Sequence, residues 1–524
     1  MKVGAKALVC LLFVFSIVTV QAVDVPNTPF KHIIVVIQEN RTTDNLFGSN
    51  PTFEPGVNIA MSGKDSHGNV IPLTPVQLAN CYDLGHSHSA FKAMWDNHAI
   101  DGADKVNVIL GSGCAAPANP QFKFVDGASP AESITPYFSI AQSYGFANYM
   151  FQTNQGPSFP AHLFLFSGTS APVVKPLQFF DWFAAENATT AGNTGCMSPT
   201  GSVVMELDPN LNDPEAPGYN NGYPCYEHPT LADLLTSNSL SWRYYAPAKG
   251  TLWTAPNAIS HVCQPDQNHN CQGAAFQAGG NVIVENAGTG HPAKVLEDIQ
   301  DCNLPAVTWV IPDGAWSDHA GKNPNGFENL GLGASWVAAI VNAVGNSVCS
   351  APNPPSLWQN TAILITWDDW GGWYDHVDPD PSHLGYSSQT GQQYVYGFRV
   401  PLLVVSAYTN AGYVSGAWNG VGNPPTACPM PSPYCHDFGS ILNFIEYVLG
   451  KNGHSLGKID TANNYDFADA QVQDTDLTHP YSLSDFFNFN QQPRSFSTIS
   501  APYGANFFIN YTGQPQDPDD DASE

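Results

Sequence analysis

Four short, largely apolar runs frame this chain: His32–Ile37, Ala306–Ile311, Ala362–Ile365 and Val400–Ser406. Runs of this length and composition read as strands buried on both faces. Helical patterns fill some of the intervals, as at Gly333–Val344 and Ser440–Leu449. Strands alternating with helices require a mainly parallel sheet covered on both sides, so the fold class is α/β. The chain has 524 residues, more than one small core can organise, so loop insertions or a small added subdomain should surround the sheet. The stretches 187–224 and 345–360, rich in Gly, Pro, Asn and Thr, read as surface loops.

Two of these strands end in chemistry. Ala362–Ile365 leads into Thr366-Trp-Asp-Asp-Trp-Gly-Gly-Trp-Tyr-Asp-His376, so Asp368 and Asp369 fall at the strand's carboxyl end. That is where an open α/β sheet places its ligand. Adjacent side chains on a strand point to opposite faces, so both carboxylates can serve one site only if the chain bends there. Gly371 and Gly372 permit such a bend. His32–Ile37 runs into Gln38-Glu39-Asn40-Arg41, which supplies a carboxylate and an amide at a second strand end. Carboxylate and amide oxygens suit a hard divalent cation such as Mg²⁺, Ca²⁺ or Mn²⁺. The competing reading is a polar loop in one case and a helix cap in the other.

Ser158 lies in Asn154-Gln-Gly-Pro-Ser-Phe-Pro-Ala-His162, ahead of the apolar Leu163–Phe166. A serine hydroxyl needs a base or a metal to become a nucleophile. Here it can equally be the N-cap of a helix, and a helix N-terminus also welcomes phosphate. The 16 histidines are too many to be catalytic together, so most are structural.

These segments resemble a known family. Glu39-Asn-Arg-x-x-Asp44-Asn-Leu-Phe-Gly48 and Asp368-Asp-x-Gly-Gly-x-x-Asp375-His376-Val resemble the signatures of the phosphoesterases. That family includes the bacterial phosphocholine-preferring phospholipases C and the AcpA-type acid phosphatases. Asp83-Leu-Gly-His86, Gly156-Pro-Ser-Phe-Pro160, Trp316-Ser-Asp-His319 and Gly397-Phe-Arg-Val-Pro401 follow in family order, spanning roughly residues 30 to 450. The resemblance implies an alkaline-phosphatase-like three-layer sandwich and a cation held by Glu39, Asn40, Ser158, Asp368 and Asp369. It implies Ser158 as nucleophile, with His86, His261 and His319 as helpers; His88, two residues beyond His86, competes for that alignment. His162 is expected to support the Ser158 loop. Serine at this position, where the phospholipases typically carry threonine in a different local motif, favours the acid phosphatase branch.

The chain opens with Met-Lys-Val-Gly-Ala-Lys, an apolar run to Val20 and then Gln-Ala22, the pattern of a signal peptide over residues 1–22. A phosphoesterase domain is expected over 23–510 and an acidic tail over 511–524. Of the 11 cysteines, Cys10 falls in the leader, and the remaining even number suits disulfides in an oxidising, secreted or periplasmic setting. Cys428 with Cys435 and Cys263 with Cys271 are the pairs suggested by proximity. A cysteine zinc site is disfavoured, since Cys-x₂-Cys spacing is absent. The formal charge of −28 argues against nucleic acid or an anionic membrane as partner. A phosphate ester must therefore meet local positive charge from a metal or a histidine.

The sequence thus points to an exported phosphomonoesterase acting on a small phosphate ester through Ser158. Its rivals are a phospholipase C cleaving phosphodiesters such as phosphatidylcholine, and a secreted, non-catalytic binding protein on the same scaffold.

Overall fold

The structure, a computed structural model, describes residues 28–513 except 112, 128–132, 173–182, 189–192, 208–220, 286–292, 322–329, 351–354, 380–395, 430–433, 452–454 and 460–480. The expected leader, and the expected tail beyond 513, lie outside the described residues.

Eight strands form the central sheet. They are β1 His32–Gln38, β2 Gly145–Ala147, β3 Trp242–Ala246, β4 Val282–Val284, β5 Val307–Val310, β6 Thr361–Trp367, β7 Leu402–Ser406 and β8 Tyr413–Ser415. Their order is β4-β3-β5-β1-β6-β7-β2-β8. Neighbours run parallel from β4 through β6, β7 is antiparallel to both β6 and β2, and β2 and β8 are parallel. All four apolar runs of the sequence are strands in or next to the middle of this sheet. The strand bounds are narrower at Ala306–Ile311 and Val400–Ser406 and wider at Ala362–Ile365. The antiparallel β7 is the departure from an all-parallel arrangement.

Helices cover both faces, and strand register shows which lies where. Trp309 of β5 pairs with Val35 of β1 and Tyr244 of β3, so the three share a face. The helix Ser158–Ser167 packs there: Phe166 stacks edge-on against Tyr244 and Trp309 at centroid distances of 5.8 and 5.3 Å, and Trp309 Nε1 donates to Leu165 O at 3.1 Å. Gln38 and Trp367 pair on the other face, where Tyr137 of the helix Thr135–Ser143 meets Trp367 at 5.1 Å. In chain order the helices that matter are α1 Thr43–Phe47, α2 Thr135–Ser143, α3 Ser158–Ser167, α4 Gly333–Gly345 and α5 Phe438–Val448. Helix α4 packs with α2, and α5 packs with α3. The result is an α/β/α sandwich, as expected.

Helix α3 shows how the sequence builds one layer. Pro157 is its N-cap and Pro160 sits in its first turn, where a missing N–H costs nothing. All ten of its residues are buried, consistent with an apolar run that has no polar face. Gly168 ends it in the left-handed region at φ 74°.

A second apolar cluster, including Leu84, Phe91, Phe151, Trp370, Trp373 and Phe398, lies beside the main core. It holds the segments that follow β6 against residues 71–108. Five disulfides join Cys81 to Cys114, Cys196 to Cys225, Cys263 to Cys271, Cys302 to Cys349 and Cys428 to Cys435. Both pairs suggested by proximity are among them. Among the described residues no helix is long and apolar enough to cross a membrane.

Candidate active site

The β1–β6 register brings the two strand ends together. Gln38 pairs with Trp367, and Asp368 N continues the ladder to Gln38 O at 2.9 Å, so Glu39 and Asp368 emerge side by side. They continue the row of Val35 and Ile37, the face that carries α3. The bend required for Asp369 is present. Asp369 N donates to Asp368 Oδ1 at 2.7 Å, Gly371 N donates to Asp369 Oδ1 at 2.7 Å, and Gly371 and Gly372 have φ of 61° and 71°. Asp369 Oδ2 then accepts a 3.2 Å hydrogen bond from Ser158 Oγ. On the other strand Asn40 has φ 57°, and its N–H donates to Asp368 Oδ1 at 3.0 Å. Glu39, Asn40, Ser158, Asp368 and Asp369 are all fully buried.

Ser158 is the first residue of α3, and Pro157, not Ser158, is the N-cap. One turn on, His162 shares its face, as i,i+4 residues do. His162 Nε2 lies 3.4 Å from Glu39 Oε1 and 3.6 Å from Asp368 Oδ2. The sequence predicts loop support for His162; the structure places it inside the carboxylate cluster. The Ser-x-x-x-His spacing was the available signal. Its Nδ1 is 3.5 Å from the Tyr244 hydroxyl, and its ring stacks on Trp253 at 6.1 Å.

One ligand-type atom from each of Glu39, His162 and Asp368 falls within 4.8 Å of the others. Asn40 Oδ1 and Asp368 Oδ2 are buried without a hydrogen-bond partner. Orphaned buried oxygens beside packed carboxylates are the pattern a cation would satisfy. Burial alone would raise the Asp368 carboxyl, but the neighbouring His162, 3.6 Å from its Oδ2, holds it well below the usual range. The residues present fit a hard divalent cation, with His162 as a nitrogen donor added to the expected oxygen set.

His86 acts on this set through Asn40. Its Nδ1 faces Leu84 O at 2.9 Å and its Nε2 faces Asn40 Nδ2 at 3.2 Å. With the ring proton on Nδ1, Nε2 accepts from the amide and turns Asn40 Oδ1 towards the cluster. The His319 ring lies 6.1 Å from that of His86, its Nδ1 faces Ala320 O at 2.6 Å, and its Nε2 is 4.0 Å from Asp83 Oδ2. His88 instead opens the helix His88–Trp95 and faces Gln155 O at 3.2 Å; burial draws it down to about 3. Of the two alternatives, His86 is the one that touches Asn40.

His261 makes its contacts elsewhere. Its Nδ1 lies 2.7 Å from Glu227 Oε1 and its Nε2 3.1 Å from Asp233 Oδ2. The Asp233 hydrogen bond, against partial burial and with the charges of Asp233 and Glu227, pushes it up to about 9. The segment Trp253–His261 carries no hint of these two acids. A cleft of about 660 Å³ opens beside Lys64, His98, Tyr374, His376 and Asp378, and none of the five clustered residues lines it.

The phosphoesterase family model matches residues 30–450. The chain belongs to the phosphoesterase family. Among its relatives is the hemolytic phospholipase C of Pseudomonas aeruginosa, 20% identical over 74% of this chain and 50% of that protein. Phospholipase C A of Mycobacterium tuberculosis is 22% identical over 73% of this chain and 69% of its own length. The non-specific phospholipase C6 of Arabidopsis thaliana is 22% identical over 74% and 63%. The chain spans about half the length of the Pseudomonas relatives it matches. The crystal structure of the lipoteichoic acid synthase LtaP from Listeria monocytogenes covers 78% of both chains at 11% identity, with a TM-score of 0.28, too low to establish a common fold.

Proposed function

We propose that this phosphoesterase hydrolyses phosphate esters outside the cytoplasm through a serine nucleophile, and that its substrates are phosphomonoesters. The observation that carries the reading is the 3.2 Å hydrogen bond from Ser158 Oγ to Asp369 Oδ2, made inside a buried carboxylate cluster at two strand ends. Glu39, Asn40, His162, Asp368 and Asp369, with Ser158 Oγ, would hold a divalent cation. Such an ion, when bound, offsets the charge of the phosphoryl oxygens and favours the serine alkoxide. Asp369 accepts the Ser158 proton as Oγ bonds to phosphorus and the bond to the ester oxygen breaks. His319 delivers a proton to the departing alkoxide, while His86, engaged at both ring nitrogens by Leu84 O and Asn40 Nδ2, orients Asn40. Water then cleaves the phosphoserine and restores the hydroxyl. His261, held by Glu227 and Asp233, has no part in these steps. The five disulfides support an oxidising compartment.

A phosphodiesterase reading has its own support, because the named relatives above are phospholipases C. One assay separates the two: purified protein is offered a phosphomonoester and a choline phosphodiester across pH 4–9, with and without chelator. Faster turnover of the monoester, lost with chelator, is expected. Preference for the diester would replace the first reading with the second, and activity on neither would leave the binding-protein alternative.

A further inference from the structure

A second buried constellation, Asp44, Asp375 and His376, also brings one ligand-type atom from each residue within 4.8 Å of the others. By composition it is a candidate cation site. Its positive charge, however, is already supplied by a side chain. Arg399 is fully buried: its Nε donates to Asp375 Oδ1 at 2.8 Å, and its Nη2 donates to Asp375 Oδ2 at 3.0 Å and Asp44 Oδ1 at 3.1 Å. Nη1 donates to the carbonyls of Asn58 and Asn148 at 3.0 and 2.7 Å. Asp44 Oδ2 accepts from His376 N at 2.9 Å and lies 2.7 Å from His376 Nδ1, and its Oδ1 also accepts from Ala60 N at 3.0 Å. His376 Nε2 faces Asn58 Oδ1 at 3.0 Å. A planar guanidinium bonded in this way fills the space between the two carboxylates.

The constellation joins the two chain segments that carry the proposed ligands. Asp44 follows Glu39 and Asn40 in α1, and Asp375 and His376 follow Asp368 and Asp369 after the glycine turn. A further tie runs alongside, from Thr42 Oγ1 to Tyr374 O at 2.9 Å. The turn has no room to drift: a Cβ on Gly371 would lie 2.3 Å from Asn40 O. We propose that Arg399, Asp44, Asp375 and His376 form an arginine-centred clasp that positions the Glu39–Asn40 and Asp368–Asp369 segments against each other, and that they do not bind a second metal ion. The four are positioning residues, since none touches Ser158. Motif residues that the chemistry leaves unused, the aspartate of Glu39–Gly48, the Asp-His after the glycines and the arginine of Gly397–Pro401, thereby gain one shared role. The inference rests on the reading that Glu39 and Asp368 hold a cation.

The test is calorimetric titration of the chelator-stripped full chain with Mn²⁺, alongside steady-state kinetics and thermal melting. Wild type should bind one Mn²⁺ per chain, and Asp368→Asn should abolish that binding. Asp375→Asn should weaken it by about 10–100-fold, the usual effect of removing an outer partner of a ligand set, with kcat falling more than KM changes. Two Mn²⁺ per chain in wild type, one of them lost in Asp375→Asn, would overturn the proposal by making the cluster a metal site. Unchanged Mn²⁺ affinity and kcat in an Asp375→Asn protein with a lowered Tm would overturn it by making the cluster purely structural. If Asp375→Asn does not fold, His376→Gln is read by the same criteria, and the wild-type stoichiometry needs no variant. Absence of Mn²⁺ binding in wild type would instead sink the underlying cation reading, an outcome distinct from the others.

Discussion

At the scale of single residues, the roles divide by what each side chain touches. Ser158→Ala should lose far more than the ~10²–10⁴-fold expected for one acid–base group, because it removes the proposed bond-forming atom. Acid-quenched protein should carry phosphoserine at Ser158, and retention of a tenth of wild-type kcat in the alanine variant would end the covalent reading. His162→Ala removes the nitrogen 3.4 Å from Glu39 and should weaken Mn²⁺ binding about tenfold or more. Asp318 offers a pH prediction away from the cluster. Burial pushes its carboxyl up to about 6, opposed by the Tyr137 hydrogen bond at 2.7 Å, the charge of Arg41 and the Trp367 hydrogen bond at 3.0 Å. Between its ordinary 3.8 and about 6, the folded chain therefore holds a proton that the unfolded chain has released. Stability from this group is greatest at the acid end of that window and falls as pH rises through it. Asp318→Asn keeps an acceptor for Tyr137 and should flatten that slope in Tm-versus-pH curves taken from pH 4 to 7. An unchanged slope would show that Asp318 does not titrate there.

At the scale of elements, the glycine turn after β6 carries the most weight. Gly371→Ala must hold an L-residue at φ 61°, with its Cβ 2.3 Å from Asn40 O. The left-handed conformation alone costs roughly 1–2 kcal/mol, and the clash adds to it. A clear fall in Tm with weakened Mn²⁺ binding is expected; a wild-type melt would mean the turn relaxes freely. That turn was legible in the sequence, because two adjacent glycines after a buried strand have few other uses. So were β1, β5, β6 and β7, whose continuous apolar runs need no partner to be recognised. Strands β2, β4 and β8 are only three residues each and carry no periodicity to read. In Trp242–Ala246 an arginine interrupts the pattern. The convergence of Glu39 with Asp368 was legible only as a proposal, since it depends on β1 and β6 being neighbours. His162 is visible as a partner of Ser158 only once the segment is a helix, which brings i and i+4 to one face. The Glu227 and Asp233 partners of His261 lie 34 and 28 residues before it, and nothing local announces them.

At the scale of the whole molecule, chemistry and covalent reinforcement occupy different places. None of the ten bridged cysteines lies within β1–β8, and Glu39, Asn40, Asp368 and Asp369 leave the sheet at the ends of its central pair. The pairs seven and eight residues apart were legible because short loops close readily, whereas pairs 29 to 47 residues apart depend on the fold. The bridges restrain long connections around a sheet that the apolar core of β1, β5 and β6 already holds. Reduction should then act on the periphery first. Alkylation of unreduced protein followed by mass analysis should label none of these ten cysteines, and six or more labelled thiols would remove the case for an oxidising compartment. Reduction under native conditions should lower Tm, because each bridge limits the unfolded chain. The far-ultraviolet spectrum of the sheet and the single Mn²⁺ site should survive at temperatures below the new midpoint. Collapse of that spectrum on reduction at room temperature would show the reverse dependence, with the disulfides holding the sheet and the strand-end site standing only with their support.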